Sequence, residues 1–329
     1  MAAMPNLSID LDRALALLQA GELVAIPTET VYGLAADASQ PHAVAKIFAL
    51  KGRPADHPVI VHIAGKAQLD DWAQDIPAAA RQLADAFWPG SLTLILKRKP
   101  HVPDAVTGGQ DTVGLRAPAH PLAHALLTRF GGGLAAPSAN QFGHVSPTTA
   151  RHVFNEFGER LPLILDGGPC PVGVESTIVG LTGDHPTLLR PGGVPVEAIE
   201  AVLGVKLVHH EKPATAQMRV SGLLDSHYAP RTPLLVGPLD ALAREAAQRA
   251  AAGERVALLH RSQMLLAVAG ATAHAMPMAA DDYARALYAS LRELDTGGFD
   301  ALLLETPPQA AEWLAVNDRV KRAATGWLS

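Results

Sequence analysis

An apolar run, Leu23-Val24-Ala25-Ile26, is cut off by Pro27 and followed at once by P-T-E-T-V-Y-G-L-A-A-D-A over positions 27–38. No other stretch constrains the fold as much. The run has strand character, and Pro27 ends it because proline has no N–H to give a ladder. Two threonines, a glutamate and a tyrosine then stand together before Gly33. Hydroxyls ahead of a glycine turn, at the end of a strand, sit where α/β folds bind ligands. An ordinary strand-to-helix loop would look the same from these residues alone, so the remaining motifs decide.

Leu11, Leu15 and Leu18 recur at helical spacing before Gly21, which predicts an amphipathic helix with a glycine stop. Further helices are predicted near 41–50, 78–87, 121–130, 148–157 and 196–203. Strands are predicted at 59–63, 91–97, 112–116, 163–166 and 187–190. There is no strict βαβ rhythm, so the sheet is expected to be mixed. Over 208–233 the pattern lapses into a polar segment that reads as a linker. Beyond it, strands at 234–236, 256–260 and 301–304 alternate with helices at 239–252 and 281–294. That alternation favours a small Rossmann-like parallel sheet. The expected organisation is α/β throughout: a mixed twisted sheet with helices over 9–206, a linker over 207–232 and a Rossmann-like domain over 233–329. No G-x-G-x-x-G follows the first strand of that last domain, which argues against a dinucleotide site there.

Composition narrows the function. The chain has 329 residues, ample for two domains, and a net charge of −5 that argues against a surface coated for nucleic acid. A local basic cleft stays open as an expectation. The single cysteine, Cys170, excludes a disulfide framework and a cysteine-based zinc site, and points to a reducing cytosol. It stands in a Gly/Pro loop and reads as a small apolar residue. No basic region leads into an apolar core at the N-terminus, so no export signal is expected. The charge-free stretch 262–280 is broken by Gly270 and Pro277 and reads as packing rather than a membrane span.

Polar clusters fall at strand ends. Lys51 and Arg53 are two apart after a helix, and both reach one cleft if that loop is extended; a solvated basic turn is the plainer alternative. Ser138 and Asn140 repeat the spacing and offer a hydroxyl and an amide to phosphate or carboxylate oxygens, or else form an Asx-type turn. Arg116 ends a strand, where it can grip a carboxylate with two hydrogen bonds or make a surface ion pair. Arg190 ends another strand, and Ser176 follows Glu175 after a glycine-rich loop. His62 lies inside an apolar strand, where a core histidine is the commoner case. Their common placement points to one polyanion-binding cleft. There is no P-loop and no G-x-S-x-G elbow. His209 and His210 are adjacent rather than at ligand spacing, so no dedicated metal site is expected, and a divalent ion would arrive with a nucleotide triphosphate.

At this point the residues resemble a known family. P-T-E-T-V-Y-G-L-A, K-G-R-P with H-P-V-I-V-H, F-W-P-G-S-L-T, V-G-L-R-A-P, P-S-A-N with S-P-T-T-A, and E-S-T-I-V with L-L-R-P-G resemble the YrdC-like domain of threonylcarbamoyl-AMP synthases, over about 11–203. His227-Tyr228-Ala229-Pro230 and the tail around Asn317-Asp318-Arg319 resemble the longer, two-domain form. The resemblance implies condensation of L-threonine, bicarbonate and ATP to threonylcarbamoyl-AMP and pyrophosphate, a nucleotidyl transfer. Its product serves the tRNA threonylcarbamoyl transferase machinery downstream. It implies cytoplasmic location, Mg2+ carried with ATP, little or no direct tRNA binding and no membrane. Positioning and charge neutralisation would supply most of the acceleration. Thr30, His62, Arg116, Ala136 and Ser176 match the family's threonine contacts. Arg53, His57, Thr112, Ser138, Ser146, Arg190 and Tyr228 match its ATP contacts. Lys51 and Asn140 complete the paired K-x-R and S-x-N motifs, taken with Arg53 and Ser138 as the catalytic set. Tyr228, on the linker, would act as a lid. Thr28, Glu29 and Tyr32 are read as residues that shape the loop. Two departures stand out: His57 where many relatives carry asparagine, and Phe142 and His144 where smaller residues are expected. Related carbamoyl-adenylate enzymes carry extra acylphosphatase and zinc-finger regions, which are not visible here. An RNA-binding module is disfavoured by the acidic net charge and by only four tryptophans and four tyrosines for stacking.

Overall fold

A computed structural model describes residues 4–209, 228–261 and 270–329. The described chain forms two compact units. One holds the chain up to Phe142 and resumes at Pro147; the other holds Gly143–Ser146 and the described residues from Tyr228 onward.

The strands of the first unit, in chain order, are β1 (Leu7–Ser8), β2 (Val24–Ile26), β3 (Gly33–Asp37), β4 (Val61–His62), β5 (Leu92–Lys97), β6 (Thr112–Arg116), β7 (Leu134–Ala135), β8 (Ile164–Leu165), β9 (Thr177–Gly180), β10 (Thr187–Arg190) and β11 (Val208–His209). They form one sheet in the order β1-β8-β2-β3-β7-β4-β6-β5-β9-β10-β11. Pairing is mixed: β2–β8, β4–β6 and β5–β9 are parallel, while β2–β3, β5–β6 and β9–β10 are antiparallel. Both faces of the sheet are covered. Leu23 and Ala25 enter one core with Leu34 and Ala36, while Val24 and Ile26 enter a second with Ala35. A strand buried on both faces reads as an unbroken apolar run, which is why Leu23 to Ile26 does not alternate. Helices Leu11–Gln19 and Pro121–Phe130 cover one face, through Ala14, Leu18, Leu126 and Leu127. Helices Pro41–Lys51, Ala78–Phe87, Ala150–Phe157 and Val196–Leu203 supply the other core.

Three local readings change. The stretch 27–38 is only half a loop, since its second half is β3, hairpin-paired to β2. Val208 and His209, taken as linker, add the edge strand β11 to β10. The remainder of that linker, 210–227, lies outside the described residues, as does 262–269 of the alanine-rich stretch. Lys51 is the last residue of a helix and Gly52 caps it with φ of 64°. The extended alternation expected for Lys51 and Arg53 is therefore replaced by a left-handed glycine cap.

In the second unit, β12 (Leu234–Gly237), β13 (Val256–His260), β14 (Ala271–Ala275), β15 (Ala301–Glu305) and β16 (Gly326–Trp327) pair in the order β14-β13-β15-β12-β16, all parallel. The parallel sheet is as expected. Its order places β15 between β12 and β13, whereas the doubly wound dinucleotide fold has its first two strands adjacent. Leu242 and Ala246 from helix Leu239–Ala251 pack on Val256, Leu258 and Leu303. Among the described residues, no helix is long and apolar enough to cross a membrane.

Candidate active site

The chain gathers its polar residues along one margin of the first sheet. β4 and β6 run parallel in a register that sets His62 beside Arg116, both at the C-terminal ends of their strands. The loop after β2 brings Thr28, Glu29 and Thr30 to the same margin. Arg116 is buried and donates in three directions: Nε to Gly90 O at 3.2 Å, Nη1 to Thr30 Oγ1 at 2.8 Å and Nη2 to Glu29 Oε1 at 2.5 Å. A guanidinium has five N–H donors. One on each terminal nitrogen is therefore left without a partner among the described residues. Glu29 is fixed in turn by Ser91 Oγ at 3.2 Å and by the Ala119 N–H at 3.0 Å. Burial pushes the Glu29 carboxyl upward, but the charge and hydrogen bond of Arg116 outweigh it and hold it below the usual value. His62 is buried, and its Nδ1 has no hydrogen-bond partner among the described residues. Burial pushes its imidazole down to about 3, the Arg116 cation acts the same way and Glu29 opposes. His62 is thus neutral at physiological pH.

A second group joins β5, β9 and β10. Ser176 Oγ lies 2.7 Å from Thr93 Oγ1, and Arg190 donates from Nη2 to Ser176 O at 2.9 Å and to Ser176 Oγ at 3.2 Å. The turn after Arg190 presses on the same backbone: a Cβ on Gly192 would stand 2.3 Å from Glu175 O and 2.4 Å from Thr177 N. Only glycine permits that approach.

The K-x-R and S-x-N motifs meet through Lys51. Its buried ammonium donates to the carbonyl oxygens of Ser138 and, at 2.5 Å, of Asn140. Ser138 also bridges to Gly33, at the start of β3. Arg53 donates to Pro58 O at 2.8 Å. The two departures from the family pattern touch each other: the His57 and Phe142 rings pack edge-on with centroids 5.8 Å apart. Ala136 follows β7, and its N–H donates to Ile60 O at 3.0 Å.

Not every sequence candidate joins this margin. Thr112 begins β6 and Arg116 ends it, so they are separated by about 13 Å at the usual strand rise. Ser146 and Tyr228 belong to the second unit. There Ser146 O accepts from Arg292 Nε at 3.2 Å. Tyr228 adopts a left-handed φ of 65°, its ring 5.7 Å from that of Tyr288 and under the Arg319 guanidinium at 5.4 Å. Tyr32 shapes the loop: its hydroxyl donates to Gly168 O and accepts from Gly167 N–H. Burial pushes the Cys170 thiol up to about 12, as suits an unreactive loop residue. Among the described residues, no group of three or more histidine, cysteine or acidic side chains is placed to hold a metal ion. Glu29 is what the sequence reading undervalued. A carboxylate among apolar and hydroxyl residues, with no cation nearby in sequence, was the available signal.

Residues 16–192 match the family model described as "Telomere recombination", and residues 194–325 match "Threonylcarbamoyl-AMP synthase, C-terminal domain". Threonylcarbamoyl-AMP synthase of Pyrococcus abyssi is 40% identical over 324 residues, covering 94% of this chain and 93% of its own. That of Bacillus subtilis is 41% identical over 322 residues, covering 95% and 92%. A crystal structure of P. abyssi Sua5 complexed with L-threonine matches with a TM-score of 0.88 at 40% identity, covering 95% of this chain and 94% of that one.

Proposed function

Since this chain belongs to the threonylcarbamoyl-AMP synthase family, we propose that it condenses L-threonine, bicarbonate and ATP to L-threonylcarbamoyl-adenylate and pyrophosphate. The observation that carries this reading is the Arg116 group. A buried guanidinium, oriented on three sides and keeping one N–H on each terminal nitrogen, is suited to a carboxylate. Beside it stands a neutral imidazole with a nitrogen unpartnered among the described residues. An amino acid supplies a partner for each.

In this reading Arg116 holds the substrate carboxylate, with Thr30, His62, Ala136 and Ser176 around the amino acid. Lys51, Arg53, Ser138, Asn140 and Arg190 face bicarbonate and the phosphates, and His57 and Thr112 contribute to ATP binding. Magnesium is part of the substrate, carried by the ATP phosphates. The neutral threonine amine forms an N–C bond to the bicarbonate carbon as a C–O bond breaks and water leaves with an amine proton, and the resulting carbamate oxygen attacks the α-phosphate in line and expels pyrophosphate. The protein's part is orientation and charge neutralisation. The adenylate then supplies tRNA adenosine modification by a separate transferase in the cytoplasm. The test is pyrophosphate release from ATP by purified protein. Release that requires both L-threonine and bicarbonate is expected; release unchanged when L-threonine is omitted overturns the reading.

A further inference from the structure

Thr28 has no role in the reaction described above, yet hydrogen-bond polarity passes through it. Thr28 Oγ1 stands 2.6 Å from Val31 O. A carbonyl has no proton to offer, so the one hydroxyl proton of Thr28 lies in that contact. Thr28 Oγ1 accepts from the Thr30 and Val31 N–H groups at 3.2 and 3.3 Å, and it also stands 2.9 Å from Thr30 Oγ1. With the Thr28 proton already placed, the proton in this second contact belongs to Thr30. Thr30 Oγ1 then meets Arg116 Nη1 at 2.8 Å, and a guanidinium only donates. The proton order is fixed from end to end: Arg116 gives to Thr30, Thr30 to Thr28, Thr28 to Val31 O. The chain cannot reverse, because one end is a carbonyl. The other end is a guanidinium anchored by Glu29 and Gly90.

Thr30 is fully buried. Its proton and one lone pair are in use, which leaves one lone pair. A group bound against Thr30 Oγ1 must therefore donate. A carboxylate is excluded from that position, since it has no proton to give. An α-amino acid carries its amine on the carbon next to its carboxylate, so a carboxylate held on the remaining Arg116 donors leaves the amine beside Thr30. The side-chain hydroxyl of L-threonine is one carbon further away.

We propose that Thr28 is a positioning residue that fixes Thr30 Oγ1 as an acceptor for an amine N–H of the bound amino acid, so that amine and carboxylate are sorted between Thr30 and Arg116. This rests on the reading that the site takes L-threonine. The test uses the full chain and ligand-observed NMR titrations with three probes: L-threonine, L-2-aminobutyrate, which lacks the side-chain hydroxyl, and 3-hydroxybutyrate, which lacks the amine. Thr28→Val removes the hydroxyl at nearly constant shape, takes the acceptor from the Thr30 and Val31 N–H groups, and lets the Thr30 proton turn toward the ligand. It is expected to weaken L-threonine and L-2-aminobutyrate by the same factor, about tenfold for one hydrogen bond. 3-Hydroxybutyrate is expected to bind the unaltered protein more weakly than L-2-aminobutyrate and to lose nothing further. Thr28→Ser keeps the hydroxyl and should restore wild-type affinity, which a purely structural role for the threonine methyl would not allow. Thr28→Ala removes the same hydroxyl and gives the same pattern where the valine variant fails to fold. A loss shared by 3-hydroxybutyrate, or unchanged L-threonine affinity in Thr28→Val, overturns the proposal alone. Absence of L-threonine binding by the unaltered protein overturns the functional reading and the proposal with it.

Discussion

Replacing Glu29 by glutamine removes one charge and changes little else. Its side chain is 9% exposed and that of Arg116 is 5% exposed, so the pair is shielded from solvent screening. Deleting one member of a buried pair leaves an uncompensated charge, at a cost of about 3–5 kcal/mol. The three donors that converge on Glu29 sharpen the expectation. A glutamine oxygen can keep Arg116 Nη2 and Ser91 Oγ, but its NH2 then faces the Ala119 N–H that Glu29 Oε2 now accepts at 3.0 Å. An unsatisfied buried donor by itself costs about 1–3 kcal/mol, and it lies within the larger figure. Urea unfolding at pH 7 should therefore show a loss of about 3–5 kcal/mol for Glu29→Gln. Hydrogen exchange at the Ala119 amide, measured by mass spectrometry, should be faster by two orders of magnitude or more, since each 1.4 kcal/mol is about tenfold.

The pH dependence gives this prediction its sign. The Glu29 carboxyl is held below its ordinary value of 4.5 in the folded chain. More protons are bound in the unfolded state over that interval, so folding stability rises with pH there. The contribution is complete above 4.5 and disappears as pH falls through the folded value. Wild-type and Glu29→Gln stabilities should accordingly converge on acidification. A difference below about 1 kcal/mol at pH 7, or two curves that stay parallel into acid, refutes the view that this ion pair holds Arg116.

Three further outcomes are expected. His62 takes a proton at 6.5 when unfolded but only near 3 when folded, so it destabilises the folded chain increasingly as pH falls below 6.5. His62→Gln should flatten the stability–pH slope between those values, and an unchanged slope would show that the buried imidazole does not set it. Lys51→Ala should abolish adenylate formation, read as pyrophosphate release, because the carbonyls of Ser138 and Asn140 lose their common donor; turnover within a fewfold of wild type would remove Lys51 from the mechanism. Gly192→Ala forces a methyl to within 2.3 Å of Glu175 O. It should lower the thermal midpoint, with overpacking of this kind costing about 1–3 kcal/mol, and weaken L-threonine binding through Ser176. A midpoint and affinity equal to wild type would show that this turn yields freely.

What could be read from the sequence depended on how far apart the interacting residues lie. β2 was legible because burial on both faces leaves an unbroken apolar run. β3 was not, because Gly-Leu-Ala-Ala-Asp has little strand propensity and its pairing comes from the neighbouring hairpin strand. β14, Ala-Thr-Ala-His-Ala, is largely exposed at a sheet edge and carries no apolar alternation to betray it. Arg116 and His62 could be picked out as strand-end residues, but their adjacency is a matter of register between strands. The Glu29–Arg116 contact spans 87 positions, so no local pattern encodes it. The paired motifs show the same limit from the other side. Lys51 takes the carbonyls of Ser138 and Asn140, groups that every residue type possesses. Those two bonds by themselves therefore do not account for serine and asparagine at these positions. The Asn140 side chain turns back on its own loop, where Nδ2 donates to Gln141 O at 2.7 Å, a contact between sequence neighbours that the motif spacing does not announce.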